Sequence, residues 1–331
     1  MIKIKQIFES NRIKDIASTT REQLSKTEIS ELDFNDKRIA IAIGSRGIDN
    51  LHIIVKEVVQ FLKEKGALPF IVPAMGSHGN STDKGQKDIL NSYGINEYAM
   101  GIPVISSMET VEIGVTKSGI KVYLDKVASK ADMIIPINRV KPHTDFKGEI
   151  ESGLCKILAI GLGNQKGCTS LHERGIGNFN HIIPEVASFI ISHTNVGFGV
   201  AIVEDSYNHI AIINTILSDN IISEEKKLLE ISKKMMPKIM IPEIDVLIVE
   251  NFGKNISGAG MDPNVTGRTS VESSEGFKGP KIKRIVVLNL TDESHGNACA
   301  ISCADFITKQ FFDKINFQAT YKNSIACYNP R

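Results

Sequence analysis

Residues 37–72 read KRIAIAIGSRGIDNLHIIVKEVVQFLKEKGALPFIV. The apolar run at 37–43 is bounded by charge and by Gly44, which suits a strand buried on both faces of a parallel sheet. Past Gly47 the apolar period becomes helical: Leu51, Ile54, Val58 and Leu62 fall on one face, Asp49 or Asn50 can cap the start, and Gly66 stops it. Residues 68–72 (LPFIV) then read as the next strand. This is a βαβ unit with an expected right-handed crossover. It predicts an α/β fold with mainly parallel sheets.

Both strands of the unit run into polar, glycine-rich turns, GSRG at 44–47 and MGSHGNS at 75–81. In a parallel sheet such turns emerge at the carboxyl edge, where ligands bind, so Arg46 and His78 would project into one crevice. Taken alone, each turn is more simply a tight turn or an exposed loop. The pairing is what points to a site.

A helix over 83–92, stopped at Gly94, is followed by a hairpin pattern, 111–115 and 120–124 joined by KSG. Residues 132–136 (DMIIP) resume the buried-strand pattern and deliver Asn138, Lys141 and His143 at their end. Pro142 restricts Lys141 to extended conformations, which favours a loop over a helix at His143. Then comes KPHTDFKGEIESGLCKILAIGLGNQKGCTSLHE, 141–173. His143, Lys156 and His172 are too far apart in it to share a helical face, so only a folded turn or a strand-helix pair brings them together.

Lys156 lies between Leu154 and Ile157-Leu158. A lysine in such surroundings loses hydration and becomes a candidate nucleophile or covalent anchor, or it snorkels its charge to water past an apolar stem. Position alone leaves the two readings even. Gly161, Gly163 and Gly167 match neither the dinucleotide fingerprint nor the Walker spacing. His172 is expected on a short helix capped by Thr169 or Ser170, as a ligand for nickel or zinc or else as a packed or surface histidine. No second histidine stands at the spacing of a zinc protease.

Residues 197–203 (GFGVAIV) read as a strand and 223–236 as an amphipathic helix with Ser223 as cap. Pro237 and Pro242 punctuate the chain there, which divides it into domains 1–237 and 238–331 with a cleft between them. In the second, the strand 244–250 (IDVLIVE) ends in NFGKNISGAGMDPN, offering Asn251 and Lys254. A strand at 285–290, a helix near 303–313 and an irregular tail at 321–331 complete it.

Composition narrows the partners. With 331 residues, 42% hydrophobic and 23% charged, the chain can bury two cores, and a net charge of +1 offers no field for nucleic acid or anionic lipid. Five cysteines without a CxxC pair form no disulfide framework or zinc knuckle, as expected of a cytoplasmic protein. The first residues, MIKIKQIFESNRIKD, lack a signal-peptide core, and no run reaches the roughly 18 apolar residues of a membrane span.

The ordered set Arg46, His78, His143, Lys156, His172, Asn251 and Lys254 resembles the nickel-pincer-dependent lactate racemase family. The resemblance implies that Lys156 carries a covalently attached pyridinium-3-thioamide-5-thiocarboxylic acid mononucleotide with Ni(II), that His172 is the protein's nickel ligand, and that Ser45 and Arg46 help hold the cofactor. It implies His78 and His143 as the general acid/base pair, with Arg46, Asn251 and Lys254 sharing the handling of substrate oxygens. The activity would be racemisation or epimerisation of a small 2-hydroxy acid, and the partners would include cofactor-synthesis enzymes. Soft sulfur and carbon donors plus one imidazole suit square-planar nickel, so few protein ligands are needed. Asn251 stands where the family has a glutamine, and GEIESGLCK is a longer, more acidic approach to the lysine. Two other readings are a zinc or manganese lyase or hydrolase built on His143, His172 and Asp145 or Glu149, and a non-catalytic protein that binds an anionic metabolite.

Overall fold

The computed structural model describes residues 2–45, 47–270 and 276–327. Two short helices, α1 (Ile16–Leu24) and α2 (Thr27–Ser30), precede β1 (Arg38–Ile43), α3 (Leu51–Glu64) and β2 (Leu68–Pro73), the βαβ unit that opens the sheet. The chain continues through α4 (Asp83–Ser92), α5 (Glu97–Met100), the hairpin β3 (Thr110–Val115) and β4 (Lys121–Asp125), and β5 (Met133–Arg139). Next come α6 (Leu154–Lys156), a single π-turn (Ile157–Gly161), α7 (Asn164–His172), α8 (Phe179–His193), β6 (Phe198–Glu204), β7 (Ile210–Leu217) and α9 (Ile221–Met235). The carboxyl-terminal part adds β8 (Glu243–Phe252), α10 (Pro263–Thr266), β9 (Lys281–Leu290), β10 (Phe306–Ile307), α11 (Lys309–Asp313) and α12 (Phe317–Cys327).

The main sheet has the order β2-β1-β5-β6-β7, parallel throughout except for the last pair. Alternation along β1 separates its two faces. Ile39, Ile41 and Ile43 pack with α3 on one side, while Ala40 and Ala42 face α6, the π-turn and α8 on the other. The small residues matter because they let that second layer sit close against the strands. Register pairs Ile43 with both Pro73 and Ile137, so β1 and β2 end level, β5 runs two residues further, and the following turns emerge at the same carboxyl edge. The order places β1 between β2 and β5, making that edge a switch point.

A second sheet, β10-β9-β8, is parallel and has its own core of Phe252, Met261, Ile285, Val287, Leu290 and Phe311. The fold is therefore α/β with mainly parallel sheets, as the periodicity implied. Several local expectations change. Residues 321–327 are helical, within α12, and the helix expected near 303–313 is a 3-10 turn (Ile301–Cys303), β10 and α11. Helix α9 starts at Ile221, with Ser223 Oγ donating back to the Asn220 carbonyl at 3.1 Å, so Ser223 is no cap. Thr169 and Ser170 lie inside α7. Among the described residues, no helix is long and apolar enough to cross a membrane.

Candidate active site

Past the end of β5 the chain makes a closed loop before α6. Lys141 and Ser152 exchange backbone hydrogen bonds of 2.8 and 3.2 Å at its neck. Inside the loop Glu151, fully buried, accepts the His143 N–H at 2.7 Å and the Gly148 N–H at 3.3 Å, and pairs with Lys147 and Lys233, each at 3.4 Å. A carboxylate without water is tolerable only when paired this fully, so the acidic approach to the lysine serves as internal scaffolding.

The loop presents His143 to Lys156. The imidazole Nε2 stands 2.7 Å from the lysine Nζ. Its Nδ1 accepts the Asp145 N–H at 3.1 Å. The tautomer of the ring decides which of the two nitrogens donates across that contact. A lysine amine is a nucleophile once it gives up its proton, and an imidazole within hydrogen-bond reach can take one, which fits Lys156 as a candidate attachment point. Its carbon stem leaves a helix whose next turn is of π type, with Leu162 N–H bonded to the Ile157 carbonyl at 2.9 Å. Extra residues in a helical turn re-aim the side chains around them and are frequent at functional sites.

A series of rings leads from His143 to His172. His143 stacks on Phe146 at 4.4 Å between centroids, Phe146 meets Phe179 edge-on at 5.7 Å, and Phe179 meets His172 edge-on at 4.9 Å. His172 ends α7 and donates Nδ1–H to the carbonyl of Cys168, one turn earlier, at 2.7 Å. That bond places the proton of a neutral ring on Nδ1 and leaves the lone pair on Nε2. The Cys168 sulfur lies 3.5 Å from the same Nδ1. Burial pushes the His172 imidazole down, but the neighbouring sulfur outweighs it and the pKa is raised, against a further opposing push from the Lys156 charge. Burial likewise pushes the Cys168 thiol up, and hydrogen bonding and charge from His172 bring it below its ordinary value. The influence of Lys156 on His172 places the two in one electrostatic neighbourhood.

The turn after β2 closes a further side. His78 Nδ1 lies 2.9 Å from Ser45 Oγ and 2.9 Å from the Met75 carbonyl, so the turns after β1 and β2 meet through these two side chains. The Gly76 N–H donates to the Gly161 carbonyl at 3.0 Å, tying the His78 turn to the π-turn beyond Lys156. Two glycines allow the approach: a Cβ on Gly161 would lie 2.5 Å from the Ala74 carbonyl oxygen, and one on Gly44 would lie 2.9 Å from Ile157 Cδ1. Asn138 turns inward, donating to the Gly153 carbonyl at 2.9 Å.

The remaining expected residues sit differently. Arg46 lies outside the described residues. Asn251, on β8, accepts from Asn289 across the strand pair at 3.1 Å, and Lys254 Nζ donates to the Gly258 carbonyl at 2.6 Å, so these bonds stay within the carboxyl-terminal part. Asn264 does reach the His143 loop from there, its Nδ2 donating to the His143 carbonyl at 3.1 Å. The sequence reading missed Glu151, Cys168, Asp262 and Asn264. A cysteine one helical turn before His172 and the cap signature Asp-Pro-Asn at 262–264 were the signals available.

Among the described residues, no three His, Cys, Asp or Glu side chains gather to hold a metal ion. The three-ligand zinc or manganese arrangement is therefore not formed. Glu149 points out to Lys226, at 2.5 Å and largely exposed, and Asp145 stays with His143, its Oδ2 3.9 Å from Nδ1. A single imidazole with an amine nearby fits a metal whose other donors come from a tethered organic group.

The mainly parallel α/β fold with a lysine and histidines gathered at its carboxyl edge defines a class of protein that works on small molecules at a switch point. The model of the lactate racemase N-terminal domain matches residues 4–182, and the chain belongs to that family. The solved structure of the lactate racemase apoprotein from Thermoanaerobacterium thermosaccharolyticum is similar, with a TM-score of 0.58 and 15% identity over 86% of this chain and 71% of that one. A crystal structure of a protein from Thermotoga maritima is similar too, with a TM-score of 0.64 and 15% identity over 85% of this chain and 72% of the other. At that identity the likeness is one of fold. No curated protein sequence matches the chain.

Proposed function

We propose that this member of the lactate racemase family racemises or epimerises a small 2-hydroxy acid with a nickel-pincer nucleotide joined to Lys156 and ligated by His172. The observation that carries the reading is the 2.7 Å contact between Lys156 Nζ and His143 Nε2, with His172 at the far end of the same ring series. Bound there, the group supplies an electrophilic carbon able to take up and return a hydride. The chain's own residues move the proton and hold the substrate. His143 and His78 exchange the hydroxyl proton, each with Nδ1 anchored by its own turn. Imidazole suits the task because its ordinary pKa lies near neutrality.

Ser45 and Arg46 belong to the cofactor and carboxylate side, and Asn251 with Lys254 to the far wall. On this reading residues 1–237 form the domain that carries the lysine and nickel ligand, and residues 238–331 close the cleft over it. The chain would work in the cytoplasm beside the enzymes that make its cofactor.

Co-expression with cofactor-synthesis enzymes tests the reading. Peptide mass spectrometry should find an adduct on Lys156 and near-stoichiometric nickel, and chiral chromatography should show one enantiopure 2-hydroxy acid turning into a mixture. His172→Ala should keep the adduct and lose most of the nickel. Unmodified Lys156 in zinc-loaded protein, or unchanged enantiomers across a panel of 2-hydroxy acids, would overturn the proposal.

A further inference from the structure

The motif MDPN at 261–264 played no part in the expected site, yet it makes the most direct contact between the carboxyl-terminal part and the His143 loop. Asp262 caps α10, accepting the Asn264 N–H at 2.9 Å and the Asn264 Nδ2 at 2.8 Å through Oδ1. These bonds orient the carboxamide. Its Nδ2 donates to the His143 carbonyl at 3.1 Å, and its Oδ1 accepts from Lys147 Nζ. The other carboxylate oxygen of Asp262 pairs with Lys141 at 3.5 Å. One short turn thus holds the loop before, at and after His143.

The turn is itself firmly mounted. Arg268, just beyond α10, pairs with Asp305 at 2.5 Å and donates to the Ile282 carbonyl on β9 at 2.7 Å. Gly267 has φ of +73°, and a Cβ on it would lie 3.0 Å from the Gly279 nitrogen, so the chain at 276–279 packs against the turn. From that segment Phe277 lays its ring 4.4 Å from Lys147 Nζ. Lys147 is therefore held from the loop by Glu151 and from the other side by Asn264 and Phe277. Desolvating an ammonium so far is favourable only with partners on each side.

We propose that Asn264, oriented by Asp262, is a positioning residue that fixes the 141–147 loop so that the His143 ring faces the Lys156 amine. The inference rests on the reading of His143 as a proton-transfer residue. It adds that the geometry of that residue is set by the carboxyl-terminal part of the chain.

Hydrogen exchange by mass spectrometry on the full chain, without cofactor, reads the loop directly. Asn264→Ala and Asn264→Asp each remove the donor to the His143 carbonyl, and Asp262→Asn removes the charge paired with Lys141. Each should speed exchange of amides 143–148 by roughly tenfold, the effect of losing one or two hydrogen bonds, while exchange in β1 and β5 stays unchanged. In holoenzyme the same variants should lower kcat with KM within about twofold, as expected when a proton-transfer group is misplaced and substrate binding is kept. Unchanged exchange at 143–148 in folded Asn264→Asp overturns the proposal. If Asn264→Ala fails to fold, Asn264→Asp and Lys147→Met decide by the same measurement. His143→Gln separates the two claims, since full turnover in that variant sinks the proton-transfer reading and leaves the loop measurement to judge the positioning of 141–147.

Discussion

Glu225, a carboxyl with no exposed surface, reaches from α9 to the start of α6, the short helix that carries Lys156. It accepts the Cys155 N–H at 2.9 Å, and Gly153 has no Cβ because that carboxyl occupies the space. Burial raises its pKa from 4.5 to about 7, against the hydrogen bonds from Cys155 and Leu154 that lower it. The folded state therefore holds a proton that the unfolded chain releases, and the stabilisation is complete below pH 4.5 and lost as pH rises through about 7. The difference is worth roughly 3 kcal/mol. Denaturant unfolding should show stability falling between about pH 4.5 and 7, with a much flatter profile in Glu225→Gln. An equal slope in the variant would assign the pH dependence to other groups. Burial also pushes the neighbouring Cys155 thiol well up, so it should resist alkylation in the folded protein. Nothing in the local sequence marks Glu225, because its position in an amphipathic helix reads as a solvated charge like those of Lys226 and Lys227. Lys156, His143 and His172 were legible as residue types, whereas the pairing of Lys156 with His143 and of His172 with Cys168 emerged only when the loop closed and the helix turned.

The element that matters most is the run from α6 through the π-turn to α7. Periodicity showed an apolar, glycine-punctuated segment, and the three-layer packing explains each glycine it uses. Gly161 lies against the end of β2, where a Cβ would meet the Ala74 carbonyl carbon at 2.9 Å as well as its oxygen. Backbone cannot give way as a flexible side chain does. Gly161→Ala should therefore cost about 1–3 kcal/mol and lower Tm by several degrees, and it should also slow modification of Lys156 because the turn carrying it is displaced. Calorimetry and intact-mass analysis after co-expression check the two halves. A variant with native Tm would mean that the turn has slack which the close packing denies. Strands β1 to β4 and β6 were read to within a residue because short apolar runs between turn signals mark them, whereas β5 runs three residues further, β8 two further, and β9 begins four residues earlier than the apolar run suggests. Helix α8, with Pro184 inside and apolar residues on most of its length, and the antiparallel edge strand β7 lacked such punctuation.

At the scale of the molecule, the contacts that join the carboxyl-terminal part to the rest lie at separate points of the chain. Besides the Asn264 turn, the amino-terminal segment spans the connection: Gln6 Nε2 donates to the Lys238 carbonyl at 2.9 Å, and its Oε1 accepts the Met240 N–H at 2.7 Å. The same segment is anchored on the main body by the Phe8 N–H to Tyr207 hydroxyl bond at 3.0 Å. Gln6→Ala should accelerate exchange at Met240 and proteolysis across 236–242 without altering exchange in β1 or β5. Unchanged cleavage there would show that the clasp is incidental. This contact joins chain positions more than 230 residues apart, a separation over which no sequence pattern speaks.

By itself the sequence determined the layers of this protein: apolar period 2 and period 3.6 place strands and helices, glycines mark where the backbone must come close, and the order of polar turns puts them on one sheet edge. Tertiary structure decided which of the polar residues meet. Hydrogen bonds and ring stacking act over a few ångströms, and the distances that set Lys156 against His143, His143 against Asn264, and Glu225 against Cys155 come into being only when remote segments pack.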